Sequence, residues 1–160
     1  AFKVLRGEWM VGQQLGRLEH IDRFGANLAG NIRDGLTQDV RAIAGAEQIR
    51  TQVWHTAREC LSRYDVLLTP TAPVLPFPVE QNYPEVIDGA RLENYIDWIA
   101  QAFLITLTGF PAGSTPAGLS ASGLPVGLQI IGPRLGEPTI LAVAKLLQKI
   151  RPVGWPPAAI

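Results

Sequence analysis

The chain has 160 residues, a usual size for one domain and enough to bury a core. Apolar residues make up 47% and charged ones 18%, which excludes disorder driven by high charge and low hydrophobicity. Fourteen basic residues balance fourteen acidic ones with no Lys/Arg stripe to neutralise phosphates, so direct nucleic-acid binding is not expected. The one cysteine, Cys60, can close no internal disulfide and has no second thiol with which to share a metal. No charged-then-apolar leader opens the chain, and the longest apolar stretch, Trp98 to Leu107, is interrupted by Gln101 and Thr106 and is too short for a bilayer. These features together predict a soluble, cytoplasmic α/β protein without membrane or nucleic-acid partners. The start at Ala1, directly in a helical pattern with no cap, suggests a piece of a longer chain.

Residues 1–36 carry Phe2, Leu5, Trp9, Leu15, Leu18, Ile21, Phe24 and Leu28 at roughly helical spacing. Gly7, Gly12, Gly16 and Gly25 interrupt it, so one or two broken helices are expected. Over 37–64 the pattern is cleaner. Thr37 is a candidate cap, Gln38 and Asp39 fall in the first turn, and Val40, Ile43, Ala46, Ile49, Val53, Ala57, Cys60 and Tyr64 recur at steps of three and four. This spacing predicts a long amphipathic helix with that stripe inward and Arg41, Glu47, Arg50, Arg58 and Glu59 towards solvent.

Residues 65–160 hold the strands. Asp65 to Thr69 is a short apolar run stopped by Pro70 and reads as a buried strand. Pro70, Pro73, Pro76, Pro78 and Pro84 make the following stretch an extended loop, since proline supplies no ladder donor. A second helix is expected over 91–107, with Tyr95, Ile96, Ile99, Phe103 and Leu107 on one side and Gly109 at its end. Ala112 to Pro116 reads as a strand of small residues and Gly118 to Pro125 as a turn. Val126 to Ile131, like Val66 to Leu68, is apolar on both faces, as central strands are. A last helix over 138–150, with Pro138 first and Ile140, Leu141, Ala144, Leu147 and Ile150 inward, precedes a proline-rich tail from Arg151 to Ile160. This order implies a mixed sheet flanked by helices. Three strands apolar on both faces also imply that some sheet neighbours are missing.

At Tyr64-Asp65-Val66-Leu67-Leu68-Thr69-Pro70-Thr71 the chain resembles the amidase signature family. The similarity resumes at Thr108-Gly109-Phe110-Pro111-Ala112, passes Pro116-Ala117-Gly118, and is sharpest from Gly123-Leu124-Pro125-Val126-Gly127-Leu128-Gln129 to Ile130-Ile131-Gly132-Pro133. Asn31-Ile32-Arg33-Asp34-Gly35 also resembles the family segment before the long helix. The order and spacing match the C-terminal third of that family. The resemblance implies part of an α/β/α sandwich, and a parent enzyme that hydrolyses a carboxamide to carboxylate and ammonia or amine without metal or organic cofactor. Its nucleophile would be a serine, assisted by a second serine in a cis peptide and by a lysine held neutral by its surroundings. No such apparatus is visible here: the serines are Ser62, Ser114, Ser120 and Ser122, the lysines Lys3, Lys145 and Lys149, and no Ser-x-x-Lys pair occurs. No catalytic residue is therefore expected in this chain.

In the resembled family the proline-rich loop and the segment before Gly109 approach the active site, which makes Thr69, Thr71 and Thr106 candidates for a substrate pocket. Position 106 is often asparagine in relatives and is threonine here. Trp98 can line that pocket or pack in the core. Ser120-Ala121-Ser122-Gly123 fits a turn better than a nucleophile loop, and His20 and His55 stand alone on helices without metal-binding partners. The glycines form no Gly-x-Gly-x-x-Gly fingerprint before a helix. Two rivals remain. One is the amidase subunit of a tRNA-dependent amidotransferase, against which stands Ile99, at a position where that subunit carries an aspartate for glutamine binding; the nearest acid is Asp97. The other is a non-catalytic structural or dimerisation module. Expected partners are the remainder of a parent amidase or a second copy, with a small amide as substrate.

Overall fold

A computed structural model of the chain describes residues 1–154, and its first helix runs on through glycines that read as breaks in the sequence. Helix α1 spans Phe2–Gln14, a 3-10 stretch with a kink at His20 spans Leu15–Arg23, and α2 spans Ala26–Leu36. These elements belong to the first of two compact units, which divide after Thr56. Helices α1 and α2 pack together where Gly7 meets Gly35: a Cβ on Gly7 would lie 2.9 Å from the Gly35 Cα. Gly7 and Gly35 thus serve the close approach of two helix backbones. Ala29 and Ile32, on the same helix as Gly35, are fully buried.

Thr37 closes α2, its hydroxyl donating to the Asp34 carbonyl at 2.7 Å. The cap of the next helix is Asp39, whose Oδ1 accepts the Ala42 N–H at 2.7 Å, two residues beyond the expected Thr37. Helix α3 then spans Val40–Leu61. Its stripe is only partly covered. Ala46 is buried and Ile43, Val53, Ala57 and Cys60 are half-buried, whereas Val40 and Tyr64 are exposed and Ile49 retains 47% of its surface. The inward placement expected for Ile49 is therefore corrected: periodicity shows which residues share a face, not whether that face is covered. Ile49→Ala is expected to cost about 1 kcal/mol or less, well below the roughly 2–5 kcal/mol of a fully buried site. A shift in urea midpoint corresponding to more than about 2 kcal/mol would show that the residue is covered in solution.

The second unit, from Ala57, is built on a three-stranded sheet. Strand β1 (Leu67–Pro70) is followed by a small hairpin, β2 (Val86–Ile87) and β3 (Ala90–Arg91), and then by β4 (Ala112–Leu119) and β5 (Pro125–Ile131). The order is β1-β5-β4, and both pairs are antiparallel; the parallel neighbours of a mixed sheet are not among the described strands. Strand β5 is central as expected, with Ile130 and Ile131 buried. Strand β1 has β5 as its one described neighbour, and Leu67 and Leu68 keep 38% and 45% of their surface, so its expected central position is corrected to an edge. Pro70, which has no N–H to offer a ladder, suits an edge. Strand β4 outruns the expected Pro116 by three residues, passing Pro116 through an irregularity in the register. The turn is correspondingly shorter, held by Ser120 N–H to the Leu124 carbonyl at 2.7 Å.

Residues 86–91, the last of which was expected to be helical, form the hairpin because Asp88 and Gly89 both adopt positive φ, 48° and 75°. That is the geometry a two-residue loop needs to match strand twist. Regular helix begins later than position 91. The Asp97 carboxylate accepts the N–H groups of Glu93 and Asn94 at 3.2 Å each, a 3-10 turn covers Asp97–Ile99, and α4 spans Ala100–Thr108. Thr108 ties off α4, donating to the Ile105 carbonyl and accepting the Phe110 N–H.

Helix α5 spans Glu137–Ile150, with Pro138 as its second residue, and packs on β4 and β5. Ile140 is buried 3.0 Å from where a Cβ would stand on Gly113 or Gly132. Ala144 and Leu147 are half-buried, but Leu141 and Ile150 are exposed, contrary to expectation: Leu141 is one helical step round from Ile140, and Ile150 is the terminal residue. Residues 151–154 are irregular, and the remainder of the expected tail, 155–160, lies outside the described residues. Among the described residues, no helix is long and apolar enough to cross a membrane.

Candidate functional site

The sheet has two unlike faces, and the difference is set by alternation along its strands. Side chains two apart share a face. Thr69 lies opposite Gln129 on β5, which lies opposite Ser114 on β4, and Thr71 follows two residues after Thr69. Thr71 N–H donates to the Gly127 carbonyl at 3.0 Å, extending the ladder past β1. One face therefore carries Thr69, Thr71, Gln129 and Ser114. The other carries Gly113 and Thr115, and meets α5 through Ile140 and a 3.1 Å bond from Gln148 Nε2 to Thr115 Oγ1.

On the polar face the Thr71 and Ser114 hydroxyls are hydrogen-bonded at 2.8 Å. Gly127 makes that pair possible: a Cβ there would lie 2.7 Å from Thr71 Oγ1 and 3.0 Å from Ser114 Oγ. Beside them, Gln129 is 7% exposed, and neither its Nε2 nor the buried Thr69 Oγ1 has a hydrogen-bond partner among the described residues. Unmet buried donors and acceptors cost about 1–3 kcal/mol each, so this row has capacity for further polar contacts.

At the end of this face the chain leaves β1 through Thr71 and folds over as the proline-rich loop. Thr71, Ala72, Val74 to Phe77, Trp98, and Pro125 to Gly127 line a cavity of about 280 Å³ that is open on one side to solvent. Phe77 and Trp98 meet edge to face, with ring centroids 5.4 Å apart and planes at 83°. Pro73, Pro76 and Pro78 restrict the loop before anything binds, which lowers the entropy of ordering that wall. No lining residue is charged; the polar side-chain groups are the Thr71 hydroxyl and the Trp98 indole N–H.

Two of the four expected pocket residues, Thr71 and Trp98, thus line one cavity. Thr69 stands on the adjoining polar face, opposite Gln129. Thr106 is not brought to the cavity: it is exposed on α4, and its hydroxyl donates to the Ala102 carbonyl at 3.3 Å. Ser114, Gln129 and Phe77 were not expected from the sequence. The Thr-x-Thr and Gly-x-Gln spacings were signals for a shared face, but their pairing depends on strand order.

The remaining candidates have structural occupations. Ser62 donates to the Glu59 carbonyl, Ser120 and Ser122 bond each other at 2.8 Å, and Ser120 Oγ also accepts the Leu124 N–H. His20 lies 3.4 Å from Glu19, and His55 packs edge-on to Trp54. Lys145 and Lys149 are exposed on α5. These contacts place no base against a serine hydroxyl among the described residues.

Comparison with known proteins agrees on one family. A model of the amidase family matches residues 18–141. A glutamyl-tRNA(Gln) amidotransferase subunit of Clostridium acetobutylicum is 33% identical over 106 residues, covering 66% of this chain and 21% of that protein. An acylamidase of Rhodococcus erythropolis is 33% identical over 111 residues, 69% of this chain and 23% of that one. Among solved structures, a bacterial aryl acylamidase of the amidase signature family superposes with a TM-score of 0.77 at 25% identity, covering 94% of this chain and 32% of that chain. A second, described as an amidase, gives 0.80 at 22% identity and shares the fold. The chain spans about a fifth of the length of the curated relatives it matches.

Proposed function

The chain belongs to the amidase family, and from that premise we propose that all 160 residues form the C-terminal portion of one amidase domain. The intact enzyme hydrolyses a carboxamide to a carboxylate and ammonia or an amine, and its Ser-cisSer-Lys machinery lies outside this chain. The observation that carries the reading is the division of labour: the sheet, the proline-rich loop and the cavity are here, while the serine hydroxyls hold turns and strands together. Thr71 and Trp98 contribute to binding the substrate, and Thr69 with Gln129 offers further polar contacts. The partners are the remainder of the parent chain, which covers the exposed edge of β1, or a second copy in its place. A cytoplasmic location, suggested by the single cysteine, belongs to the same proposal.

The amidotransferase reading, open because several relatives are glutamyl-tRNA(Gln) amidotransferase subunits, is less well supported. Its glutamine-binding aspartate would have to be Asp97, and that carboxylate is engaged with the Glu93 and Asn94 backbone. A non-catalytic module is the remaining alternative.

Activity measurements test the proposal. The purified chain should release no ammonia or amine from simple amides above the buffer rate. Turnover that survives repurification and vanishes in Ser114→Ala, Ser120→Ala or Ser122→Ala would place the nucleophile inside this chain and overturn the assignment.

A further inference from the structure

Resting on that reading, we propose that the cavity beside Thr71 selects amides that carry a neutral apolar substituent, aryl or branched alkyl, against amides with a charged head such as glutamine. A free glutamine bears an ammonium and a carboxylate, and each loses hydration on entering a cavity unless an opposite charge or several donors replace the water. The lining by Thr71, Ala72, Val74 to Phe77, Trp98 and Pro125 to Gly127 has neither a cation nor a carboxylate.

What the wall does have suits a ring. Phe77 and Trp98 stand at 83°, an arrangement in which a third ring can meet a face of one and an edge of the other. Val74, Leu75 and Val126 complete an apolar surface, and about 280 Å³ is near the small end of ligand pockets, which run from roughly 300 Å³ upward. The cavity therefore takes a compact group rather than a long chain. The polar anchor is the Thr71 hydroxyl. When Ser114 donates to it across their 2.8 Å bond, the Thr71 proton is left to donate to a substrate carbonyl. Gly127 keeps that hydroxyl against the sheet, where a larger residue would displace it.

The test is a titration of the ¹⁵N-labelled chain with three probes, phenylacetamide, L-glutamine and toluene, following the Trp98 indole and Gly127 amide signals. Phenylacetamide should shift both saturably, with a Kd at least tenfold below that of L-glutamine and below that of toluene. Thr71→Val should weaken phenylacetamide severalfold with the rest of the spectrum unchanged, and Phe77→Ala should weaken both aromatic probes. Should Thr71→Val fail to fold, Thr71→Ala removes the same hydroxyl without the second methyl group, and Thr71→Ser, which keeps it, should retain the affinity for phenylacetamide. L-Glutamine binding as tightly as phenylacetamide would overturn the apolar selection and leave the amide reading standing. Toluene binding as tightly as phenylacetamide, indifferent to Thr71→Val, would overturn the amide reading of this pocket instead. No saturable shift with any probe would overturn the proposal as a whole.

Discussion

Ile130→Ala is expected to destabilise the chain by about 2–5 kcal/mol, towards the upper end of that range. The residue stands next to the C-terminal end of the central strand with none of its surface exposed. Its neighbours across the ladders are Leu68 on β1 and Gly113 on β4. Gly113 has no side chain to relax into the space, and Ile140 is already held against it from α5. A cavity opened here stays open, and the cost of a truncation rises with the residual cavity. Ile130→Val, which removes one methyl group, should cost only about 0.5–1.5 kcal/mol. Urea unfolding of the two variants measures both. Equal, small losses would mean that the sheet is loosely packed and that β5 is not its centre.

Gly35→Ala should be destabilising by about 1–3 kcal/mol or more, although helix propensity alone predicts the opposite sign. In an open helix the change would stabilise by about 1 kcal/mol. Here the new methyl group would stand 2.6 Å from the Gly7 carbonyl carbon and 2.9 Å from Val11 Cγ2. The valine can turn aside; the backbone of α1 cannot, so the helix must move and the buried surface around Ile32 opens with it. Gly30, on the same helix with nothing within 4 Å of its would-be Cβ, supplies the control. Gly30→Ala should raise the melting temperature while Gly35→Ala lowers it. A stabilising Gly35→Ala would show that α1 and α2 do not cross at this pair.

These two variants also mark where the sequence was and was not legible. Helices α3 and α5 announce themselves through apolar residues at steps of three and four, and strand β5 through a short apolar run bounded by turn residues. Gly7 and Gly35 do not: a glycine that breaks a helix and a glycine that admits another helix look alike until the partner is known. The hairpin at Asp88-Gly89 carried its own signal, since that dipeptide suits two consecutive positive φ values, but the apolar spacing from Tyr95 to Leu107 drew the expected helix back over Arg91. At the candidate site, Thr71 was an expectation from resemblance and Trp98 was open between pocket and core; both line the cavity. Ser114 and Gln129 were missed because their importance lies in facing Thr71 and Thr69 across strands. Thr106 was an expectation from resemblance, and its outward position on α4 gives it no support here.

The order β1-β5-β4 has a kinetic consequence. Strands β4 and β5 are joined by a tight turn and can pair early, since little chain entropy is lost in closing so short a loop. Strand β1 must find β5 across the proline-rich loop, the β2–β3 hairpin, α4 and β4, which is a slow search of high contact order. Thr71 reaches Gly127 and Ser114 only once that search succeeds. On that order of events the cavity is assembled by the later pairing in the sheet, and a chain that has formed its β4–β5 hairpin but not docked β1 would lack the wall that Thr71 and the proline-rich loop supply.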